Sequence, residues 1–277
     1  MKSVTWEHAG LKIEGLSLAG VRTCVTLPQY LTAFDVAQGL PHAIGMNTFL
    51  ITHGHMDHAA GIPYVISQKA MNSHKTPRFI MPASMVEPMK EIMRQWELIE
   101  GHKYELNFIG AKAGDEFSLN SKLLIRTFPT IHRVPSHGYS VYRRSHKLRA
   151  DLEGLSSDEI INIRRKGEDP TEEKLDLLVS FSGDTQIEFL DLTPEVRSSK
   201  VLLLEATYLD DRKTVASAKE WGHTHLDEII PRLETITSEK ILLIHSSARY
   251  NLEEARKILH KRLPLHERER VEIFQGR

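Results

Sequence analysis

Short apolar runs, separated by glycine, proline and polar turns, set the rhythm of the chain. Residues 11–17, 22–27 and 31–36 read as extended segments broken by Gly15, Gly20 and Pro28. Residues 48–52 form a continuous apolar run of the kind that fills a buried strand. A helix is predicted over residues 60–71 and a strand over 78–81. Ser84 and Glu87 stand at capping-box spacing ahead of a helical pattern that runs to Leu98. Residues 103–130 alternate as two or three strands, and 138–142 add another. After an interruption, strands are predicted at 177–181, 200–204, 240–244 and 271–274. Leu226, Ile229, Ile230 and Leu233 share one face of an amphipathic helix, and 251–262 reads as a further helix. Strands and helices mixed in this way give an α/β protein in a single domain spanning 1–277.

The interruption is residues 143–178, a charge-dense stretch too short and too polar to be a separate domain, and it reads as an arm projecting from the core. Arg143, Arg144, Lys147 and Arg149 open it, and Arg164, Arg165 and Lys166 form a second basic cluster. Ser156 to Glu159 has capping-box spacing for a short helix within it, and its later part is acidic. Elsewhere charge is balanced: the chain of 277 residues has a formal net charge of −1, so any anionic partner needs a local basic patch. Cys24 is the single cysteine, set as a small residue in an extended run. No intrachain disulfide forms, and a reducing, cytoplasmic setting is expected. The first ten residues lack the apolar core of a signal peptide, and no stretch reaches the length of a membrane span.

Chemistry concentrates after the strand at 48–52. His53, His55, Asp57 and His58 place three imidazoles and a carboxylate within six positions, a donor set suited to zinc and similar divalent ions. His53, Asp184, Glu205 and His245 each stand directly after a short apolar strand, and strand ends on one rim of a sheet converge side chains from distant positions. With His132, the proposed ligands number seven: His53, His55, Asp57, His58, His132, Asp184 and His245. One tetrahedral ion needs only three or four, so two ions are expected. Asp184 follows Gly183, which allows close backbone approach, and is the bridging carboxylate. His53, His55 and His132 then hold one ion, and Asp57, His58 and His245 the other. Two Zn2+ per chain is the expected complement, with Mn2+ or Fe2+ fitting the same donors. Hydrolysis is the expected reaction. His137 and His225 lie near the site in sequence with no role assigned.

This H-x-H-x-D-H signature, followed by a distant His, Asp and His, resembles the metallo-β-lactamase superfamily. Phe181 to Thr185, Leu204 to Tyr208, Gly222 to His225 and His245 to Tyr250 resemble tRNase Z (ribonuclease Z) in its compact short form. The resemblance implies an αββα sandwich with a small protruding arm. It implies a zinc-dependent endonuclease that removes the 3′ trailer of precursor tRNA and leaves a 3′-hydroxyl on the tRNA. By the same resemblance, His223 held by Glu205 donates a proton to the leaving oxygen, and Asp57 is both ligand and proton acceptor. Arg249 meets the phosphate, or is an exposed salt-bridging arginine, and Thr185 donates a hydrogen bond to the same phosphate. The arm at 143–178 occupies the position of the family's tRNA-binding exosite, and a homodimer is implied in which one arm serves the other subunit's site. The longer glycine- and proline-rich arm of other short forms is absent. A small-molecule phosphodiesterase on the same scaffold, or a non-catalytic RNA-binding protein, are the rival readings.

Overall fold

The computed structural model describes residues 2–72 and 74–276. Two sheets face one another. The first runs in chain order through β1 (Val4–His8), β2 (Leu11–Ala19), β3 (Arg22–Leu27), β4 (Thr32–Phe34), β5 (Thr48–Leu50), β6 (Arg78–Pro82) and β7 (Asn107–Ala111). The second contains β8 (Glu116–Asn120), β9 (Leu123–Pro129), β10 (His137–Leu148), β11 (Thr171–Phe181), β12 (Val201–Glu205) and β13 (Lys240–Ile244). The two-residue β14 (Ser246–Ser247) crosses over to pair in parallel with β2, and β15 (Val271–Ile273) closes the second sheet beside β13.

Each sheet is antiparallel at one end and parallel at the other. Strands β4 to β7 pair in parallel, as do β11, β12, β13 and β15. Parallel neighbours need crossover connections, and the helices supply them. The crossovers of the first sheet carry α1 (Pro41–Ile44), α2 (Met56–Ala59), α3 (Ile62–Met71) and α4 (Ala83–Glu100). In the second sheet, after α5 (Ser157–Arg165) in the arm, they carry α6 (Phe189–Leu192), α7 (Val215–Glu220), α8 (Leu226–Ile229) and α9 (Leu252–Arg262). Apolar side chains fill three layers. Phe34, Ile125, Tyr139 and Phe181 pack between the sheets, with Phe34 and Phe181 stacked at 4.7 Å. Ile62, Val65, Phe79 and Met93 join α3 and α4 to the first sheet, and Leu204, Leu226, Ile229 and Leu259 join α8 and α9 to the second. The order is helices, sheet, sheet, helices, which is the expected αββα sandwich.

Several elements differ from the patterning. The Ser84–Glu87 capping box does not form: α4 begins at Ala83 after Pro82, with no side-chain cap. The helix expected over 60–71 forms as α3 from Ile62, and a separate turn, α2, precedes it; at Gly61 between them a Cβ would lie 2.0 Å from the amide nitrogen of Gly39. The amphipathic helix beyond His225 stops after one turn and continues as a 3-10 helix over Ile230–Thr235, because Pro231 has no N–H to extend the ladder. Leu226, Ile229 and Leu233 still face the same core. Strand β1 lies outside the expected elements, although Val4, Trp6 and His8 alternate with more exposed neighbours. The arm is a ribbon: β10 and β11 stay paired out to Leu148 and Thr171, and α5 closes the tip with the Ser156–Glu159 capping box intact. No helix among the described residues is long and apolar enough to cross a membrane.

Candidate metal centre

The carboxyl ends of the parallel strands all open on one rim. Asp35 follows β4, His53 lies just beyond β5, Asp184 just beyond β11, Glu205 ends β12 and His245 follows β13. Open α/β sheets place ligands at such strand ends. The local backbone is bent to suit. Asp35 and His245 hold φ of 54° and 58°, values rare for residues with a Cβ. At Gly183, φ is +61°, and a Cβ there would lie 2.7 Å from Thr52 Cβ, so only glycine lets β11 turn into Asp184 against the first sheet. The one-turn helix α2 presents Asp57 and His58, while His132 sits in the loop after β9.

All seven sequence-predicted ligands meet here, in the expected halves. One donor atom each from His53, His55, His132 and Asp184 lies within 4.8 Å of the others, as does one each from Asp57, His58 and His245. Asp184 stands between the groups: Oδ1 is 3.3 Å from His58 Nε2, and Oδ2 is 3.3 Å from His245 Nε2 and 3.8 Å from His53 Nε2.

Hydrogen bonds on the far side of four of the five rings fix their tautomers. His58 Nδ1 donates to Asp35 Oδ2 at 2.7 Å, and His132 Nδ1 donates to the Gly222 carbonyl at 2.8 Å. The Thr52 hydroxyl gives its hydrogen to Asp35, so His53 Nδ1 donates to Thr52 Oγ1, at 2.9 Å. The Thr207 hydroxyl gives its hydrogen to Glu205, so His245 Nδ1 donates to Thr207 Oγ1, at 3.1 Å. All four rings then turn an Nε2 lone pair toward one centre, the orientation that neutral imidazole ligands require.

Those lone pairs are the test of whether a cation fits. His58 Nε2 meets His245 Nε2 at 3.3 Å, and His53 Nε2 meets His55 Nδ1 at 3.0 Å. Asp184 Oδ1 is buried among them with no hydrogen-bond partner. Acceptors crowded against acceptors repel unless positive charge lies between them. Protons are one source of that charge: burial pushes His245 down, but Asp184, Asp57 and Glu205 outweigh it and raise the ring to about 10. Divalent ions are the other source, and the donor set of imidazole and carboxylate suits them. Asp57 is similarly held: burial raises it, yet His245 and His58 keep it well below the usual carboxylate range, and Gly20 N–H donates to its Oδ2 at 2.9 Å.

His223 is beside the cluster. Its Nδ1 is 3.1 Å from Glu205 Oε1 and 4.0 Å from Asp184 Oδ2, and 17% of its side chain is exposed. Glu205 is fully buried, and burial pushes its carboxyl up, but His223 and His245 outweigh that and hold it at about 2. Thr224 N–H donates to its other oxygen at 2.5 Å. Arg249 lies exposed on the loop after β14 and makes no ion pair among the described residues.

Two groups of predicted residues are placed differently from expectation. Thr185 is fully buried, its hydroxyl donating to the Gln186 carbonyl and accepting from Ile131 N–H at 3.0 Å. It is not presented to a phosphate; it pins the loop that carries His132. In the arm, Arg143 pairs with Asp176 at 3.1 Å, Arg144 with Glu173, and Arg149 with Asp151 at 2.6 Å. Lys147, Arg164, Arg165 and Lys166 make no ion pair among the described residues. Residues 143–178 hold eight Lys and Arg against nine Asp and Glu, a net −1, so the arm is largely self-neutralised.

Asp35, Thr52, Thr207 and Ser17 join the site without having been legible as site residues. Thr52 N–H and Oγ1 both donate to Asp35, and Ser17 Oγ accepts from His245 N–H at 2.9 Å. Asp35 ends an apolar segment, and Ser17, Asp35 and Thr207 lie in stretches that fit the family resemblance, but neither signal assigned them a role. The two unassigned histidines are structural: His225 Nδ1 accepts from Asp227 N–H and caps α8, and His137 Nε2 donates to the Ala111 carbonyl at 3.0 Å.

Comparison with known proteins shows the family to which this fold belongs. A family described as a beta-lactamase superfamily domain matches residues 34–246. The chain is 34% identical over 255 residues to tRNase Z TRZ1 of Arabidopsis thaliana, covering 91% of each protein. It is 31% identical over 252 residues to the chloroplastic tRNase Z TRZ2 of the same plant, covering 90% of this chain and 71% of the relative. Among solved structures, the short form of human tRNase Z superposes with a TM-score of 0.60 at 16% identity, over 94% of this chain and 95% of that one, a likeness of fold.

Proposed function

The chain belongs to the tRNase Z (ribonuclease Z) family of the β-lactamase superfamily, and on that premise we propose that it is a metal-dependent endonuclease that removes the 3′ trailer from precursor tRNA and leaves a 3′-hydroxyl. The observation that carries the reaction is the Glu205–His223 pair set against seven convergent ligand side chains. His53, His55 and His132 would hold one divalent ion, Asp57, His58 and His245 the other, and Asp184 would reach both. Zinc fits the donors best, and such ions supply Lewis acidity toward the phosphoryl group and activate water at neutral pH.

The protein's own groups divide the remaining work. Asp57 accepts the proton of the attacking water and is kept ionised for that task by His245 and His58. His223 gives its Nδ1 hydrogen to Glu205, so Nε2 is the atom that carries a proton to the departing 3′ oxygen. Buried Glu205 fixes the orientation of that ring through the Nδ1 contact of 3.1 Å. Arg249, with no internal partner among the described residues, meets the phosphate charge. A homodimer, with the arm of one subunit reaching the other's substrate, completes the proposal.

His223→Ala should keep both metals and lose about 100-fold or more in hydrolysis, the usual contribution of a general acid. Metal analysis of the variant checks this; loss of an ion would make His223 a ligand, which its position near Asp184 and His245 allows geometrically. The self-neutralised arm favours one rival, a small-molecule phosphodiesterase. The decisive experiment incubates the metal-loaded protein with a defined precursor tRNA and maps the products to the nucleotide. A single cut leaving a 3′-hydroxyl is expected. Hydrolysis of a small phosphodiester with no cut in the precursor would establish the rival.

A further inference from the structure

Trp221 lies two residues before His223 and half its surface, 51%, is exposed. Tryptophan is the largest apolar side chain, and an exposed one beside a reaction centre calls for a partner. One partner is already present: the guanidinium of Arg133 lies over the indole, 4.6 Å from the ring centroid. Arg133 adjoins the ligand His132 and makes no ion pair among the described residues. The two loops are fastened together, since His132 Nδ1 donates to the Gly222 carbonyl at 2.8 Å. Gly222 has φ +75°, and a Cβ on it would lie 2.8 Å from His132 Nδ1, so the close approach depends on glycine. The stacked pair is thereby held rigidly at the outer edge of His132 and His223, whose rings are 5.4 Å apart.

We propose that Trp221 and Arg133 form a nucleotide-binding platform at the lip of the metal centre, which stacks the base of the nucleotide whose 3′ oxygen departs. This rests on the endonuclease reading above. His223 serves the leaving oxygen, so a surface continuous with it lies on the side of the nucleotide that retains its 3′-hydroxyl. Arg133 covers part of the indole, and the exposed remainder offers a base a flat apolar seat. The unpaired guanidinium adds a charge for the neighbouring phosphate. Stacking of this type is indifferent to base identity, as processing of many different tRNAs requires.

The test compares Trp221→Ala, Trp221→Phe and Arg133→Ala with the parent enzyme on precursor tRNA, on the same precursor abasic at the last nucleotide before the cut, and on a small phosphodiester. Trp221→Ala should raise KM for the precursor about tenfold, equivalent to about 1.4 kcal/mol, and lower kcat/KM more on the precursor than on the small substrate. Trp221→Phe should recover most of the loss. The abasic precursor should lose about as much with the parent, and little more with Trp221→Ala. Equal losses on both substrates, or an unchanged KM for the precursor, would overturn the platform. A binding measurement separates this proposal from the function it rests on. In a Trp6→Phe, Trp96→Phe background, single-stranded RNA should quench the remaining Trp221 fluorescence. If the parent fails to cut precursor tRNA, the endonuclease reading falls while quenching still supports the platform. Absence of quenching overturns the platform even in an active enzyme.

Discussion

Asp35 touches no proposed substrate, yet two of the proposed ligand rings depend on it. It accepts directly from His58 Nδ1 and, through the Thr52 hydroxyl, sets the orientation of His53. Glu205 repeats the arrangement in the other sheet, meeting His223 directly and His245 through Thr207. Each buried carboxylate thus aligns one ring directly and one by a threonine relay. Burial pushes the Asp35 carboxyl up, while His58 and Thr52 oppose that by bonding its charged form. Asp35→Asn keeps the shape but removes one acceptor oxygen, so the His58 tautomer is no longer enforced. Affinity for the metal should fall about 10- to 100-fold, the usual cost of removing such an outer partner. Chelator competition measures it, and an unchanged affinity would remove Asp35 from this role.

At the scale of elements, the rim is built by short helices that cannot stand alone. Helix α2 is a single turn, and its Asp57 and His58 are placed by contacts with Gly20, Asp35 and Val36 of the first sheet's loops rather than by helical propensity. Lys69 is the fastening on the other side of α3. Its side chain is buried, and Nζ donates to the carbonyls of Ile44 at 3.1 Å and Met46 at 2.7 Å, which lie at and just beyond the end of α1. Lys69→Met fills the space but leaves both carbonyls without a donor. Stability should drop by about 1–3 kcal/mol, seen as a lower urea midpoint. An unchanged midpoint would mean that water replaces the ammonium at no cost.

At the scale of the whole molecule, the balance of charge in the arm decides how it can meet RNA. Arg143, Arg144 and Arg149 already have carboxylate partners on the ribbon, whereas Lys147, Arg165 and Lys166 make no ion pair among the described residues. Only free cations release counterions when they meet phosphate. Reversal of charge at Lys147, Arg165 and Lys166 should therefore weaken precursor binding and flatten its salt dependence, by about 0.7 to 0.9 in log–log slope for each phosphate no longer neutralised. Reversal at the paired arginines should disturb the ribbon with little change in slope. Titrations at low and physiological salt distinguish the two, and an unaltered slope in the first set would show that the arm does not touch the substrate.

The sequence by itself determined the donor chemistry and, through its resemblance to a family, the sandwich. The spacing of His53 to His58 marks a metal-type donor set, and strands such as 48–52 and 240–244 are apolar enough to declare themselves. Local composition also marked the arm and its Ser156 cap. What it could not contain was every effect that depends on the meeting of distant segments. The need for glycine at 61 is set by Gly39 in a neighbouring loop, and the engagement of Thr185 by Ile131, 54 residues away. The pairing of Arg143 with Asp176 and of Arg144 with Glu173 depends on the register of β10 against β11. The Asp35 carboxylate looked like the end of a strand until the fold set it behind His53 and His58. Residue type fixes which bonds a side chain is able to make, while the partner it meets is chosen by tertiary packing, because hydrogen bonds and ion pairs act over only a few ångströms.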